Sequence, residues 1–164
     1  MTTSREIRYY DYVNTSYERV CEALRRDVLA VCRAATKTAA SRAVSLASEL
    51  HVNVGGFEIG TDIDIRLEGI EEHGADPKTP PKTTFALEWQ AARMPRLFPF
   101  MHAQLVAYPL TSTETQLELV SRYDPPLGAV GAALDALVGR RIADACVHRF
   151  LTEVAMHLRQ TLAG

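Results

Sequence analysis

Four polar side chains on predicted strands have the chemistry to act as an acid, a base or a hydrogen-bond donor: Tyr9, Asp11, His102 and Tyr123. Desolvation in apolar surroundings raises the pKa of a carboxyl group toward neutrality, and an imidazole already titrates close to it, so both suit general acid or base catalysis. The two phenols could donate hydrogen bonds to a carbonyl oxygen. Each of the four also has a structural interpretation, because a strand-edge carboxylate can pair with a cation and a tyrosine hydroxyl is common at the edge of a core. The sequence therefore offers candidates but identifies no catalytic residue.

The motifs that mark the common enzyme classes are absent from the sequence. It contains no glycine-rich phosphate loop, no His-Glu-x-x-His segment, no nucleophile elbow and no calcium-binding loop. The five histidines are far apart in the sequence and fit no metal-ligand spacing. They are His51, His73, His102, His148 and His157. We therefore expect neither a cofactor nor a metal site.

Composition and charge limit the classes of protein to which the chain can belong. It has 164 residues, of which 47% are hydrophobic and 23% charged, so a single domain over residues 1–164 is expected. A net charge of -2 gives no basic field for a phosphate backbone, which argues against nucleic acid as a partner. The N-terminus lacks the apolar run of a signal peptide, and no window approaches the roughly 20 apolar residues of a membrane span. We expect a cytoplasmic protein without stable membrane insertion.

The three cysteines, Cys21, Cys32 and Cys146, are widely separated and form no Cys-x-x-Cys pair. An odd number of cysteines with this spacing predicts neither a disulfide framework nor a zinc site. We interpret them as small, buried, apolar residues of a protein that resides in a reducing compartment.

The first third of the chain predicts a strand followed by two short helices. Residues 6–13 are rich in aromatic and β-branched side chains, which is typical of a strand. Residues 14–16 offer a helix cap, and Asp27 offers a second cap at which a second helix begins. Residues 34–47 are rich in Ala, Ser and Thr and have little periodicity, so they predict a loose helix end and a linker.

Between Val44 and Tyr123 the apolar residues recur with a period near two, which predicts a curved antiparallel sheet. The clearest strand alternates apolar residues from Phe57 to Leu67 with polar ones, so that one face is buried and the other is solvated. The proline-rich residues 72–82 predict a loop. Six strands are visible: residues 6–13, 44–54, 57–68, 83–92, 100–108 and 115–123.

The chain after Asp124 has a helical pattern to its end. Apolar residues from Val130 to Leu162 form a slowly drifting stripe, so one amphipathic helix is predicted over residues 127–162. At about 1.5 Å per residue it would be roughly 50 Å long, enough to cross the sheet. A helix laid in the concavity of a curved sheet tends to leave a gap. The apolar residues 94–99 (MPRLFP) would either pack as a loop on their own domain or form a rim at the mouth of that gap.

The order of these elements resembles a known superfamily. The strand with two short helices, the long meander and the passage SRYDPPLGAVGAALDALVGRRIADACVHRFLTEVAMHLRQTL are similar to the START-like, pollen-allergen-like helix-grip superfamily, which is often labelled SRPBCC or polyketide cyclase/dehydrase. The similarity spans nearly the whole chain. It rests on a pattern of spacing and small residues that includes Tyr123, Pro126, Gly128 and Gly131, and not on a pattern of catalytic residues.

This resemblance implies an α+β helix-grip fold. In that fold a curved antiparallel sheet of six or seven strands wraps around a long C-terminal helix, and two short helices follow the first strand. The usual seven strands imply one more strand than the six visible in the pattern. The resemblance also implies a hydrophobic cavity that binds lipids, sterols, polyketides or other apolar molecules, and an enzyme in only some branches.

The expected function is therefore the binding or transport of a hydrophobic or amphipathic small molecule between the sheet and the last helix. Alternatives are an enzyme of the polyketide cyclase/aromatase or dehydratase type and a protein-interaction module without a ligand. A homodimer is compatible with the sequence. Apolar residues on the predicted strands and last helix, with His102 and Tyr123, are the expected lining. They are Leu46, Leu50, Phe57, Ile59, Ile63, Phe85, Leu87, Trp89, His102, Leu119, Tyr123, Val147, Phe150, Leu151 and Val154.

Overall fold

The computed structural model of the protein describes residues 5–49, 63–91, 101–123 and 136–164. Along these residues the chain forms five strands and two helices. They are β1 (Arg5–Val13), α1 (Tyr17–Glu49), β2 (Ile63–His73), β3 (Lys82–Ala91), β4 (Met101–Thr111), β5 (Glu114–Tyr123) and α2 (Ala136–Leu162). The predicted loop at residues 94–99 and the start of the predicted last helix lie outside the described residues.

The five described strands form one antiparallel sheet in the order β1-β5-β4-β3-β2. Strands β2 to β5 follow one another as neighbours, and β1 closes the far edge by pairing with β5. The predicted alternation is present, because Phe85 and Leu87 of β3 are buried while Ala86 and Glu88 are partly exposed. We call the face that carries Phe85 and Leu87 the inner face and the opposite one the outer face.

The described sheet has five strands, fewer than the six visible in the sequence pattern. The difference lies in the predicted strand 44–54, since residues 44–49 belong to helix α1 and residues 50–54 lie outside the described ranges. Six alanines between Ala34 and Ala47 explain the helix. Alanine has the highest helix propensity, and here it outweighs a short period-two run of apolar residues. The prediction of a linker in this stretch is wrong for the same reason.

Helix α1 is interrupted at Asp27, whose φ of -152° and ψ of 40° are not helical. The structure therefore contains the two predicted helices, and the second begins after Asp27 as expected. The first begins at Tyr17, and the backbone N–H of Val20 donates to the carbonyl oxygen of Ser16. Both segments place buried apolar residues against the rest of the core, Leu24 in the first and Val31 in the second.

Helix α2 lies against α1, β1 and β5 on the inner side of the sheet. Its 27 residues correspond to about 40 Å. Its buried residues recur at helical spacing, so one stripe of the helix faces the core. They are Ala143, Val147, Phe150, Leu151, Val154, Ala155 and Leu158.

The sheet has two ends along the direction of its strands. At one end, which we call the Trp89 end, lie Ala91, Met101 and Tyr123, and each adjoins residues outside the described ranges. At the other end, which we call the Thr83 end, described turns join β2 to β3 and β4 to β5, and β1 leads into α1.

Candidate functional site

The layer between the inner face and the helices is filled most completely at the Thr83 end. Along β3 the exposed fraction rises from 0% at Thr83 to 1% at Leu87 and 9% at Trp89. Along α2 it rises from 1% at Leu158 to 6% at Ala143. Both elements therefore retain more exposed surface toward the Trp89 end.

Small side chains occupy the middle of the sheet near the Trp89 end. Ala103 of β4 pairs in register with Ser121 of β5, and both are buried. In the next row toward the Thr83 end, Leu105 pairs with Leu119. Two small side chains fill less of the layer between sheet and helix than two leucines do. The inner face therefore carries less side-chain volume in the row of Ala103 and Ser121 than in the row of Leu105 and Leu119.

Two aromatic rings lie at the same end. The rings of Trp89 and Phe150 meet edge-on, with their centroids 5.0 Å apart and their planes at 87°. The indole nitrogen of Trp89 donates a hydrogen bond of 2.9 Å to Thr36 Oγ1, and the Thr36 hydroxyl donates to the carbonyl oxygen of Cys32. Groups on α1 and α2 therefore fix the orientation of a ring that belongs to β3.

Polar contacts join α2 to the sheet at the Thr83 end. Arg159 forms an ion pair with Asp11 and donates to the carbonyl oxygen of Tyr12. Its guanidinium carbon also lies 5.1 Å from the centre of the Tyr12 ring, which is the geometry of a cation–π contact. Asp11 is thus the counter-ion of a contact between helix and strand, which is the structural interpretation of this residue.

Tyr9, a second predicted polar candidate, also lies beside α2. Its ring centroid is 5.0 Å from that of His148. Burial raises the pKa of Tyr9, and the negative charge of Asp144 raises it further. A phenol with a raised pKa stays protonated at neutral pH and remains a hydrogen-bond donor. Groups capable of proton chemistry therefore lie together where β1 contacts α2. They are the phenol of Tyr9, the imidazole of His148 and the carboxylate of Asp144.

His102 lies on the outer face of the sheet. It pairs in register with Glu88, its Nδ1 is 3.8 Å from Glu68 Oε2, and its side chain is 49% exposed. Alternation along β4 turns Ala103 and Leu105 inward and His102 outward. The prediction that His102 lines the cavity is therefore wrong.

The side chains of Glu68, Glu88 and His102 bring three potential ligand atoms within 4.8 Å of one another on three adjacent strands. A hydrogen bond with Glu68, desolvation and repulsion from Glu68 raise the pKa of Glu88. Two carboxylates and an imidazole are ligands that a divalent transition metal accepts. Within the described part of the chain, these three residues are the group that could hold a metal ion. Their spacing in the sequence does not predict such a site.

Eight of the residues predicted to line a cavity are buried between the sheet and the helices. They are Phe85, Leu87, Trp89, Leu119, Val147, Phe150, Leu151 and Val154. Ile63 begins β2, Tyr123 ends β5 and Leu46 lies in α1 rather than in a strand. Three further predicted residues lie outside the described ranges: Leu50, Phe57 and Ile59.

Two polar residues at the Trp89 end, Thr36 and Ser121, are absent from the predicted set. Ser121 shares the alternation of Leu117 and Leu119, so the parity of β5 was the signal that could have placed it on the inner face. Thr36 reaches Trp89 through the packing of α1 on the sheet, and a contact between residues 53 positions apart has no local signal in the sequence.

Comparison with known proteins identifies the fold of the chain. No protein-family model matches the chain, and no curated protein matches it in sequence. Among solved structures, the Zhui aromatase/cyclase from Streptomyces sp. R1128 aligns with 97% of this chain and 93% of its own, with a TM-score of 0.51 and 17% identity. The chain has the START-like helix-grip fold.

Two other helix-grip comparisons have lower scores. A conserved protein from Geobacillus kaustophilus aligns with 96% of this chain and 97% of its own, with a TM-score of 0.49 and 13% identity. Norcoclaurine synthase from Thalictrum flavum covers 92% of this chain and 88% of its own, with a TM-score of 0.36 and 12% identity. Among the described helices of this helix-grip protein, none combines the length and the apolar character needed to cross a membrane.

Proposed function

We propose that this helix-grip protein binds a hydrophobic or amphipathic small molecule between the inner face of the sheet and α2, at the Trp89 end. The observation that supports the proposal is the rise in exposed fraction along β3 and α2, from 0% at Thr83 and 1% at Leu158 to 9% at Trp89 and 6% at Ala143. We assign the lining to Trp89, Ala103, Val147 and Phe150, which lie on β3, β4 and α2.

Apolar burial is the main source of affinity in such a site, at roughly 25 cal/mol per Å² of surface removed from water. The edge-on pair of Trp89 and Phe150 supplies aromatic surface against which a flat ring can pack. Phe85, Leu151 and Val154 have almost no exposed surface, so we assign these three predicted lining residues to the packed core instead.

The single tryptophan of the chain makes the proposal directly testable. Titration with the apolar dye anilinonaphthalene sulfonate should give saturable binding, with energy transfer from Trp89 to the dye and loss of tryptophan emission. Saturation at one dye per chain supports a defined site. Dye fluorescence that rises without saturating, with unchanged Trp89 emission, would refute a site at this end.

A co-purified ligand offers an independent test. Native mass spectrometry of freshly purified protein should reveal a bound species that is lost when the protein is unfolded and refolded. The refolded protein should then bind the dye more tightly than the freshly purified one, because the natural ligand no longer competes. Identical dye affinity before and after removal of an adduct would place that adduct outside the proposed site.

A second candidate function is a reaction of the aromatase/cyclase kind, the activity named for the Streptomyces relative. The observation that favours it is the position of Tyr9 on the inner face, where its phenol ring lies 5.0 Å from the ring of His148. In such a reaction Tyr9 would donate a hydrogen bond to a substrate carbonyl while the cavity fixes the shape of the chain. Tyr9→Phe should then abolish turnover of a polyketide substrate while leaving dye binding intact, and equal turnover in both proteins would exclude this role.

A further inference from the structure

Ser121 carries a buried hydroxyl for which no described residue provides a hydrogen-bond partner. Its exposed fraction is 0%. The other buried hydroxyl side chains of the described residues each have a partner. They are Thr15, Thr36, Thr83 and Thr115. A buried polar group without a partner costs stability, so the unpaired hydroxyl of Ser121 stands out against four satisfied ones.

The surroundings of Ser121 are apolar. Ala103 of β4 and Ile7 of β1 flank it in register on the neighbouring strands. Leu119 precedes it on the same face of β5, and alternation directs all of these side chains inward. Ser121 therefore presents one neutral hydrogen-bonding group within an apolar part of the inner face, in a row where the side chains are small.

We propose that Ser121 Oγ hydrogen-bonds the one polar oxygen, a hydroxyl or a carbonyl, of an otherwise apolar ligand, an inference that rests on the binding function proposed above. A charged group would lack a counter-charge among Ile7, Ala103 and Leu119, so the complementary ligand atom is neutral. Because Ser121 has no exposed surface, the side chains that cover it must move as the ligand enters. Association is therefore slower than diffusion allows.

Two probes that differ by a single hydroxyl test the assignment: naphthalene and β-naphthol. Isothermal titration calorimetry should show that the wild-type protein binds β-naphthol about five- to tenfold more tightly, the range expected from one net hydrogen bond. Ser121→Ala should lose this preference and bind naphthalene as tightly as before. Thr115→Val is the matched control, because Thr115 lies on the same strand and face but its hydroxyl already donates to the carbonyl oxygen of Thr15 at 2.8 Å. This variant should keep the preference.

The two variants should also differ in their unfolding temperature. Removing an unsatisfied hydroxyl removes a cost, so Ser121→Ala should unfold at the same temperature as wild type or higher, whereas Thr115→Val should unfold at a lower one. A lower unfolding temperature for Ser121→Ala would mean that its hydroxyl has a partner in the free protein, and it would overturn the proposal.

The calorimetric outcomes separate the two proposals. If naphthalene binds and Ser121→Ala leaves the preference for β-naphthol unchanged, the apolar site stands and the role of Ser121 is wrong. If neither probe binds the wild-type protein, the site itself is refuted, and the role of Ser121 with it.

Discussion

The indole nitrogen of Trp89 on β3 donates a 2.9 Å hydrogen bond to Thr36 Oγ1 on α1. Both side chains are buried, and the Thr36 hydroxyl donates a hydrogen bond to the carbonyl oxygen of Cys32. A residue on a separate element thus orients the only tryptophan of the chain. The aromatic surface that we assign to ligand binding is therefore held in place by the fold itself.

Thr36→Val tests this contact, because valine keeps the shape of threonine but cannot accept the hydrogen bond. The indole N–H would then be buried without a partner, so we expect the free energy of unfolding to fall by about 1–3 kcal/mol. Thr36→Ser keeps the hydroxyl and should lose only the packing of one methyl group, about 1 kcal/mol. Urea denaturation followed by Trp89 fluorescence measures both. Equal losses in the two variants would mean that the hydrogen bond contributes nothing.

Local sequence patterns predicted the strands well and the helical continuation of α1 badly. In β1, β3 and β5 only one face is apolar, so alternation alone identifies both the strand and its buried side. Residues 44–49 carry a short apolar alternation within an alanine-rich stretch, and there the helix propensity of alanine outweighs the alternation.

The candidate site was predicted less completely than the strands, and His102 shows why. Strand β4 carries apolar residues on both faces, because Val106 lies on the outer face and Leu105 on the inner face, and the sequence pattern therefore does not say which face is inward. The neighbours of His102 depend in addition on a register shift between Leu67 and Gly69, which brings Glu68 to it. A glycine inside a strand, such as Gly69, often marks such a bulge, but it does not say which side chains the shift brings together.

The unequal packing of the two ends predicts unequal responses to larger side chains on α2. Ala143 and Ala155 are both buried alanines of the same helix stripe, but 6% of Ala143 is exposed and 0% of Ala155. Ala155→Leu should lower the free energy of unfolding by about 1–3 kcal/mol, because it overpacks a filled layer. Ala143→Leu should change stability by less than about 1 kcal/mol and should weaken dye binding. Denaturation and dye titration of both variants check this, and similar destabilisation at the two positions would contradict the difference in packing.

The ion pair between Arg159 and Asp11 should contribute more to the free energy of unfolding than the pair between Arg149 and Glu153 within α2. Arg159 is 35% exposed and Asp11 20%, and Arg159 also bonds the backbone of Tyr12, whereas Arg149 is 47% exposed. We expect Arg159→Gln to lower the free energy of unfolding by about 1–2 kcal/mol after allowance for solvent screening. Arg149→Gln should cost about 0.3–0.5 kcal/mol, the range of pairs four residues apart on a helix. Urea denaturation at low and high salt compares them, and equal costs would show that the contact with β1 adds nothing.

The raised pKa of Glu88 predicts a pH-dependent effect on stability. Its first cause is the hydrogen bond with Glu68, and desolvation and repulsion add to it. An acid with a higher pKa in the folded than in the unfolded state binds its proton more tightly when folded. The stabilisation that protonated Glu88 contributes is therefore complete at pH values below the pKa of this group in the unfolded protein. It is lost as the pH rises through the higher pKa that the group has in the folded protein.

Glu88→Gln removes this dependence, because a glutamine side chain keeps an N–H donor toward Glu68 at every pH and carries no charge. The variant should unfold at a higher temperature than wild type at neutral pH, and the difference should close as the pH falls below the ordinary pKa of a glutamate. Glu71→Gln removes the same charge from an exposed residue of β2 and serves as the control. Thermal unfolding of the three proteins across this pH range measures the effect. A difference that stays constant with pH, or one that Glu71→Gln reproduces, would assign it to net charge rather than to the contact between Glu88 and Glu68.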